Sequence, residues 1–399
     1  MTESDAYVAL NLVPSLGGAT VRAGIERFGS ATAMLSAGER ELSQVRGIGR
    51  VRAAEIASAL SSADWRAQRE RAASSRVTIV TPVDPEYPEA LRSLHAPPLA
   101  LYVAGDPACL SSPTVAMVGT RAPTLYGREQ ARNFAYRLAL SGLTVVSGLA
   151  RGIDTEAAEG ALRAKCRTIA VIGAALDRLY PPENRELARR IVAAGGAVVS
   201  EYPFGRSADR QTFPMRNRII SGLCPGVVCV EAGVTSGTLI TADHAMEQGR
   251  AVMAIPGRVS DPSALGCIKL LQQGARLVAC PEDVLDELSS LPALRAAAPS
   301  PAPRFATSNA QRQRPEPDRE LHAAPPAPQK PRPKLSPEET KIIDCLKRDG
   351  TSTPDSIAIA TALPARVVGP LLLALEMKCL VKRLPDGQCE LARRAREAV

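Results

Sequence analysis

The chain has 399 residues, enough for two or three domains, and is 45% hydrophobic but only 3% aromatic, so its core is largely aliphatic. A net charge of +8 suits an anionic partner without naming one. No run of about 18 apolar residues offers a membrane span, Met1 to Asp5 is too polar for a signal peptide, and scattered cysteines without a CxxC pair, beside only three histidines, suit a reducing cytoplasm better than a zinc site.

Residues 1–75 carry helical periodicity and a weak internal repeat, "LVPSLGGATVRAGIERFG" and "LSQVRGIGRVRAAEIASAL". Each copy places a glycine turn before an amphipathic helix. The second turn, Gly47-Ile48-Gly49, has the form of a helix-hairpin-helix turn, where a helix N-terminus attracts phosphate. Arg46, Arg50 and Arg52 flank it, so Gly47, Gly49 and Arg50 are secondary DNA-contact candidates. The first copy lacks flanking basic residues except Arg22 and reads as structural.

Residues 76–289 hold a lead-in and then strands alternating with helices. The apolar runs at 115–118, 143–146, 168–172, 197–199, 226–230 and 251–255 predict strands buried on both faces, hence a Rossmann-like, doubly wound, mostly parallel α/β sheet. Residues 290–335, rich in Pro and Ala, predict an extended linker. Helical periodicity returns over 336–399, with Pro354 and Pro364 near helix starts and Asp386-Gly387 as a hairpin turn.

Ligands on such sheets sit at the carboxyl ends of the strands, and the loops there are rich in glycine and arginine. Gly119-Thr120-Arg121 offers close backbone approach and a bidentate guanidinium. Gly148 and Arg151 precede a helix that Asp154 or Thr155 caps. In Phe213-Pro214-Met215-Arg216-Asn217-Arg218, Pro214 predicts the first helical position. Arg216 and Arg218 then fall in a first turn that repels cations unless an anion binds, and Phe213 can stack on an unpaired base. Ser236-Gly237-Thr238 opens a further helix as a phosphate cradle. Neither a GxGxxG dinucleotide fingerprint nor a GxxxxGK[ST] loop is present.

In this order, "MVGTRAPTLYG", "VVSGLARGIDTEAAEGAL", "SEYPFG", "TFPMRNRIISGL", "VEAGVTSGTLITA", "AIPG" and "LLQQGA" resemble the DNA-processing protein A (DprA/Smf) family, over about residues 80–288. The N-terminal part resembles the family's tandem helix-hairpin-helix or SAM-like module, and the C-terminal part resembles a winged helix. The resemblance implies a protein that binds single-stranded DNA, loads the RecA recombinase onto it in natural transformation, and works as a homodimer through its Rossmann domain. The expected location is the cytoplasm, with no cofactor, metal or membrane. The resemblance makes Arg121 the leading DNA contact, joined by Phe213, Arg216, Asn217, Arg218, Ser236, Gly237 and Thr238. Ile268 departs from the family's usual asparagine, replacing a polar loop contact by an apolar one. The winged helix, with Arg366 as the one basic residue on its candidate recognition helix, suits protein contact better than DNA.

A phosphoribohydrolase of the lysine-decarboxylase-like Rossmann class is the alternative. Its PGGxGTxxE cradle puts a carboxylate where this chain has Thr241, and a hydroxyl cannot replace that charge. Glu231 and Glu247 are the remaining acids nearby, and His244 reads as a helix-surface residue. The expectation is a binding protein without catalytic residues.

Overall fold

The computed structural model describes residues 1–14, 16–289, 336–378, 380–383 and 388–391. The chain divides into two compact units, Met1–Phe305 and Ala306–Val399. The linker expected at 290–335 and the Asp386-Gly387 turn lie outside the described residues.

The first unit centres on a nine-stranded sheet. Its strands are β1 (Val77–Val80), β2 (Leu101–Gly105), β3 (Thr114–Val118), β4 (Thr144–Ser147), β5 (Thr168–Val171), β6 (Ala197–Ser200), β7 (Gly226–Cys229), β8 (Ala251–Ala254) and β9 (Arg276–Leu277). Their spatial order is β1-β2-β6-β5-β4-β3-β7-β8-β9. From β6 to β9 every pairing is parallel, while β1 and β2 pair antiparallel with each other and β2 antiparallel with β6. Successive side chains of a strand face opposite ways. Ala116 and Val118 of β3 therefore join one core layer and Val115 and Met117 the other. Helices Leu125–Leu140, Ile153–Arg163 and Pro281–Ser289 cover the second face through Phe134, Leu138, Ala157 and Val284. Helices Thr212–Gly222, Gly237–Glu247 and Leu265–Gln272 cover the first through Ile219, Ala242 and Leu270.

The N-terminal helices form their own core, with Leu10, Val21, Met34, Ile48 and Ile56 inside it. The two glycine turns differ in their packing. A Cβ on Gly18 would come within 2.0 Å of the Pro97 carbonyl, so the first turn is packed away. Gly47 (φ +84°) and Gly49 have no neighbour within 4 Å of such a Cβ, and Gly49 is the N-cap of helix Arg50–Ser61. Ile48 plugs the module's core between them, and Arg52 donates to the Gly47 carbonyl at 2.8 Å. The module docks on the sheet through Asn11, which donates to the Glu201 carbonyl (3.1 Å), Gln68, which accepts from the Phe204 N–H (3.0 Å), and Arg71, which bonds Asp177 (2.8 Å).

The second unit packs helices Pro337–Asp349, Pro354–Thr361 and Ala365–Met377 around Ile342, Leu346, Ile357 and Leu372. Strands β10 (Thr351–Ser352), β11 (Val381–Arg383) and β12 (Cys389–Leu391) form an antiparallel sheet in the order β10-β12-β11. The chain turns by 111° between the second and third helices, as in a helix-turn-helix. Pro354 opens one of them and Pro364 is the N-cap of the other.

Candidate functional site

From β3 the chain steps to β4, β5 and β6 on one side. It then crosses back to β7 on the other side of β3 and continues to β8 and β9. The loops leaving the carboxyl ends of β3 and β7 therefore part, which opens a crevice. A cavity of about 500 Å³ lies there. Gly119 and Arg121 line it after β3, and Ala150 and Asp154 after β4. Arg210, Phe213, Arg216 and Asn217 line it after β6, and Ser236, Gly237, Thr238 and Thr241 after β7.

The loops are tied to one another. The Thr120 N–H donates to the Glu231 carbonyl at 2.7 Å, and the Thr120 carbonyl accepts from the Ile153 N–H at 3.1 Å. The buried Glu231 carboxylate accepts from the Thr124 N–H (2.9 Å) and the Ser263 hydroxyl (2.5 Å). Gly119 makes room for Ile153, which a Cβ would approach to 2.4 Å. Ser236 caps helix Gly237–Glu247 by accepting from the Thr238 N–H at 3.2 Å, and Gly237 opens onto the cavity with nothing close to it. Asn217 reaches across to the Gly237 carbonyl at 3.4 Å.

Several expected roles change. The N-cap of helix Ile153–Arg163 is Gly152, not Asp154 or Thr155. The Asp154 carboxylate instead turns back to accept from the N–H groups of Gly148 (3.1 Å) and Ala150 (3.3 Å). Gly152 has φ +77°, and a Cβ there would come within 2.4 Å of the Thr120 carbonyl. Gly152→Ala is therefore expected to cost about 1–3 kcal/mol and to lower Tm in thermal denaturation.

The helix carrying the arginines starts at Thr212, so Pro214 is its third residue rather than its first. Asp209 sets that start by accepting from the N–H groups of Gln211 (2.8 Å) and Thr212 (2.9 Å). Arg216 and Arg218 thus lie beyond the first turn, and two residues apart on a helix point to opposite sides. Arg216 is 4% exposed. Its guanidinium donates to the carbonyls of Gly148 (2.6 Å) and Val171 and faces Asp154 beneath the cavity. Burial lowers the Arg216 pKa to about 10 against the pull of Asp154, and burial raises the Asp154 carboxyl against the pull of Arg216. Gly148 is likewise a packing position, since a Cβ there would meet the Arg216 guanidinium at 2.4 Å. Arg218 pairs with the buried Glu201 in a separate cleft, lined also by Asn11 and Leu16 of the helical module. Arg218 does not line this cavity, whereas Arg216 lines it from beneath, its Nε buried without a hydrogen-bond partner. Ile268 sits half-buried in helix Leu265–Gln272, not in a loop, and does not line the cavity.

The mouth carries two neighbouring rings, each with a cation against it. The Arg121 guanidinium lies 4.9 Å from the Phe213 ring centroid. Phe213 lies 5.8 Å from the Tyr180 ring, tilted by 56°. The Arg151 guanidinium lies 5.8 Å from the Tyr180 centroid and also pairs with Glu183. Arg121, Arg151 and Arg210 are exposed. Sequence reasoning missed Tyr180 and Arg210. In a chain with 3% aromatics, an aromatic residue in a strand-end loop was the available signal for Tyr180. Arg210 was legible only as a basic residue three positions before Phe213.

These features define a class: a Rossmann-type ligand-binding unit with an electropositive, ring-lined cavity at its switch point, a helical module before it and a winged helix after it. A family model described as DNA recombination-mediator protein A matches residues 78–289, more than half of the chain, and one described as the DprA winged helix domain matches residues 324–387. The chain belongs to the DNA recombination-mediator protein A (DprA/Smf) family. It is 43% identical over 219 residues to protein Smf of Synechocystis sp., and 44% identical over 204 residues to DNA processing protein DprA of Bacillus subtilis. Those matches span 54% and 51% of this chain and 55% and 68% of the relatives, so the chain covers only about half the length of the Synechocystis protein. It is 33% identical over 330 residues to a putative DNA processing protein DprA of Mycobacterium tuberculosis, 79% of this chain and 77% of that one. The X-ray structure of DprA from Streptococcus pneumoniae superposes with a TM-score of 0.62 at 33% identity, covering 72% of this chain and 98% of that one.

Proposed function

We propose that this protein binds single-stranded DNA across the strand-end cavity, without sequence preference. In this reading it acts in the cytoplasm as a homodimeric recombination mediator that loads RecA onto incoming strands during natural transformation. The observation that carries the reading is the Phe213 ring at the mouth of a 500 Å³ cavity, with Arg121 over it and Arg151 and Arg210 nearby. A ring face offers every base the same stacking partner, and guanidinium groups hold phosphates. The RecA, dimer and transformation parts rest on family membership and on relatives named as DNA processing proteins. The Gly47–Gly49 turn with Arg50 is a secondary phosphate contact in this reading, and the winged helix is a protein-contact module.

The binding role is favoured over nucleotide cleavage by the acids themselves. Thr241, at the position of the hydrolase carboxylate, is buried and lines the cavity. Glu231 is committed to Thr124 and Ser263, and Glu247 pairs with His244 at 3.5 Å on the last turn of its helix. Incubation with nucleoside monophosphates should release no free base above a Glu231→Ala control. No single described helix is long and apolar enough to cross a membrane.

The test is a gel shift on short oligo-dT. With three exposed arginines at the mouth, log K should fall with log salt at a slope of about −2. Arg121→Ala should weaken binding on the order of tenfold and make the slope shallower by roughly 0.7. Unchanged binding by Arg121→Ala, together with its loss in Arg50→Ala, would move the site to the helical module.

A further inference from the structure

We propose that Tyr180 is a second nucleobase platform, so that each subunit seats two adjacent bases of a strand, one on Phe213 and one on Tyr180, with the strand kinked between them. This rests on the reading of the cavity as a single-strand site.

Tyr180 lies in the connection after β5, its ring beside that of Phe213, which also has the Arg121 guanidinium against it. Tyr180 is 40% exposed, although its neighbour Pro181 is buried. A tyrosine placed to fill the core would not be left that exposed. Arg151 lies over it, held there by Glu183, so the ring has a cation beside it as Phe213 has Arg121. The two ring–cation pairs repeat one device along the mouth, and a shallow concavity lined by Arg121, Arg151, Tyr180 and Phe213 joins them.

The spacing sets what the pair accepts. The centroids are 5.8 Å apart and the planes 56° from parallel. Bases stacked on each other in a duplex rise by about 3.4 Å in parallel planes. Two neighbouring bases on these rings therefore unstack from each other, each lying on its own ring. That geometry suits a flexible single strand and excludes a duplex. The cations against the two rings then meet the phosphates of the dinucleotide.

The full chain tests this in competition against a labelled dT20 strand, read by fluorescence anisotropy. The competitors are 5′-phosphorylated dTpdT and its two counterparts in which one or the other base is replaced by an abasic sugar. In the wild type, dTpdT should compete on the order of tenfold better than either counterpart. In Tyr180→Leu the advantage over one counterpart should vanish, whereas Tyr180→Phe should keep it. Equal competition by all three ligands in the wild type, or a full two-base advantage in folded Tyr180→Leu, overturns the second platform. If Tyr180→Leu does not fold, Tyr180→Phe and the wild-type abasic comparison still decide. The underlying site fails differently: the wild type would not bind dT20, or Phe213→Ala would bind it unchanged.

Discussion

Arg216→Ala is expected to remove about 1–3 kcal/mol of folding stability, because it takes the donor from two buried carbonyls and the counter-charge from beside a buried carboxylate. Arg216 is 4% exposed and Asp154 6%, and the arginine also satisfies the carbonyls of Gly148 and Val171. Removing it takes a donor from both carbonyls and the counter-charge from beside the Asp154 carboxylate, which keeps its bonds from the Gly148 and Ala150 N–H groups. Asp154 can relieve part of the cost by taking a proton, since burial already raises its pKa. A carboxyl whose folded pKa lies above its unfolded value binds more protons in the folded state, so stability falls as pH rises between the two values. The deficit should therefore be larger at about pH 8 than at about pH 5. Urea unfolding followed by circular dichroism at the two pH values measures it. A loss below about 1 kcal/mol would mean that the guanidinium is not holding the β4 and β5 ends together.

Phe213→Ala should weaken oligo-dT binding by about 1–3 kcal/mol, roughly five- to 150-fold in Kd. The ring carries no charge, so the salt slope should stay as in the wild type while Arg121→Ala makes it shallower. Phe213→Leu, which keeps apolar bulk without a stacking face, should recover only part of the loss. Anisotropy titrations at several salt concentrations separate the two contributions. If Phe213→Ala changes the slope and not the intercept, the ring acts by placing Arg121 rather than by stacking. Arg218→Ala offers a contrast. Its partner Glu201 lies in a different cleft, so stability should fall while the salt slope stays unchanged.

The parallel sheet was legible because each buried strand is a short aliphatic run ending at a turn, and β3, β4 and β7 lie where Val115–Val118, Leu143–Val146 and Gly226–Val230 predict them to within a residue or two. The cavity was legible because glycine and arginine gather in the loops after those runs. The start of the Phe213 helix was misread because Pro214 suits a first helical position, whereas Asp209 sets the start two residues earlier. With the start goes the orientation: Arg216 and Arg218 read as a pair in the sequence, but the helical period sends one under the cavity and the other toward the helical module. Tyr180 and Arg210 come to the mouth from loops whose course is fixed by tertiary packing, and no local spacing announces it. The β1–β2 hairpin was folded into an undifferentiated lead-in, since its pairing with β6 is a long-range event.

The edges of the large sheet bear on how the chain behaves while it is made. A row of aliphatic strands with an open rim can template the strands of other newly synthesised chains and seed aggregates. Here one rim is β9, two residues long, which leaves little backbone to pair with. The other is β1, four residues long, with helix Trp65–Ser74 packed beside it through Ala72 and Trp65. Both ends are blunt, so a sheet of nine strands carries no long unpaired border into a crowded cell.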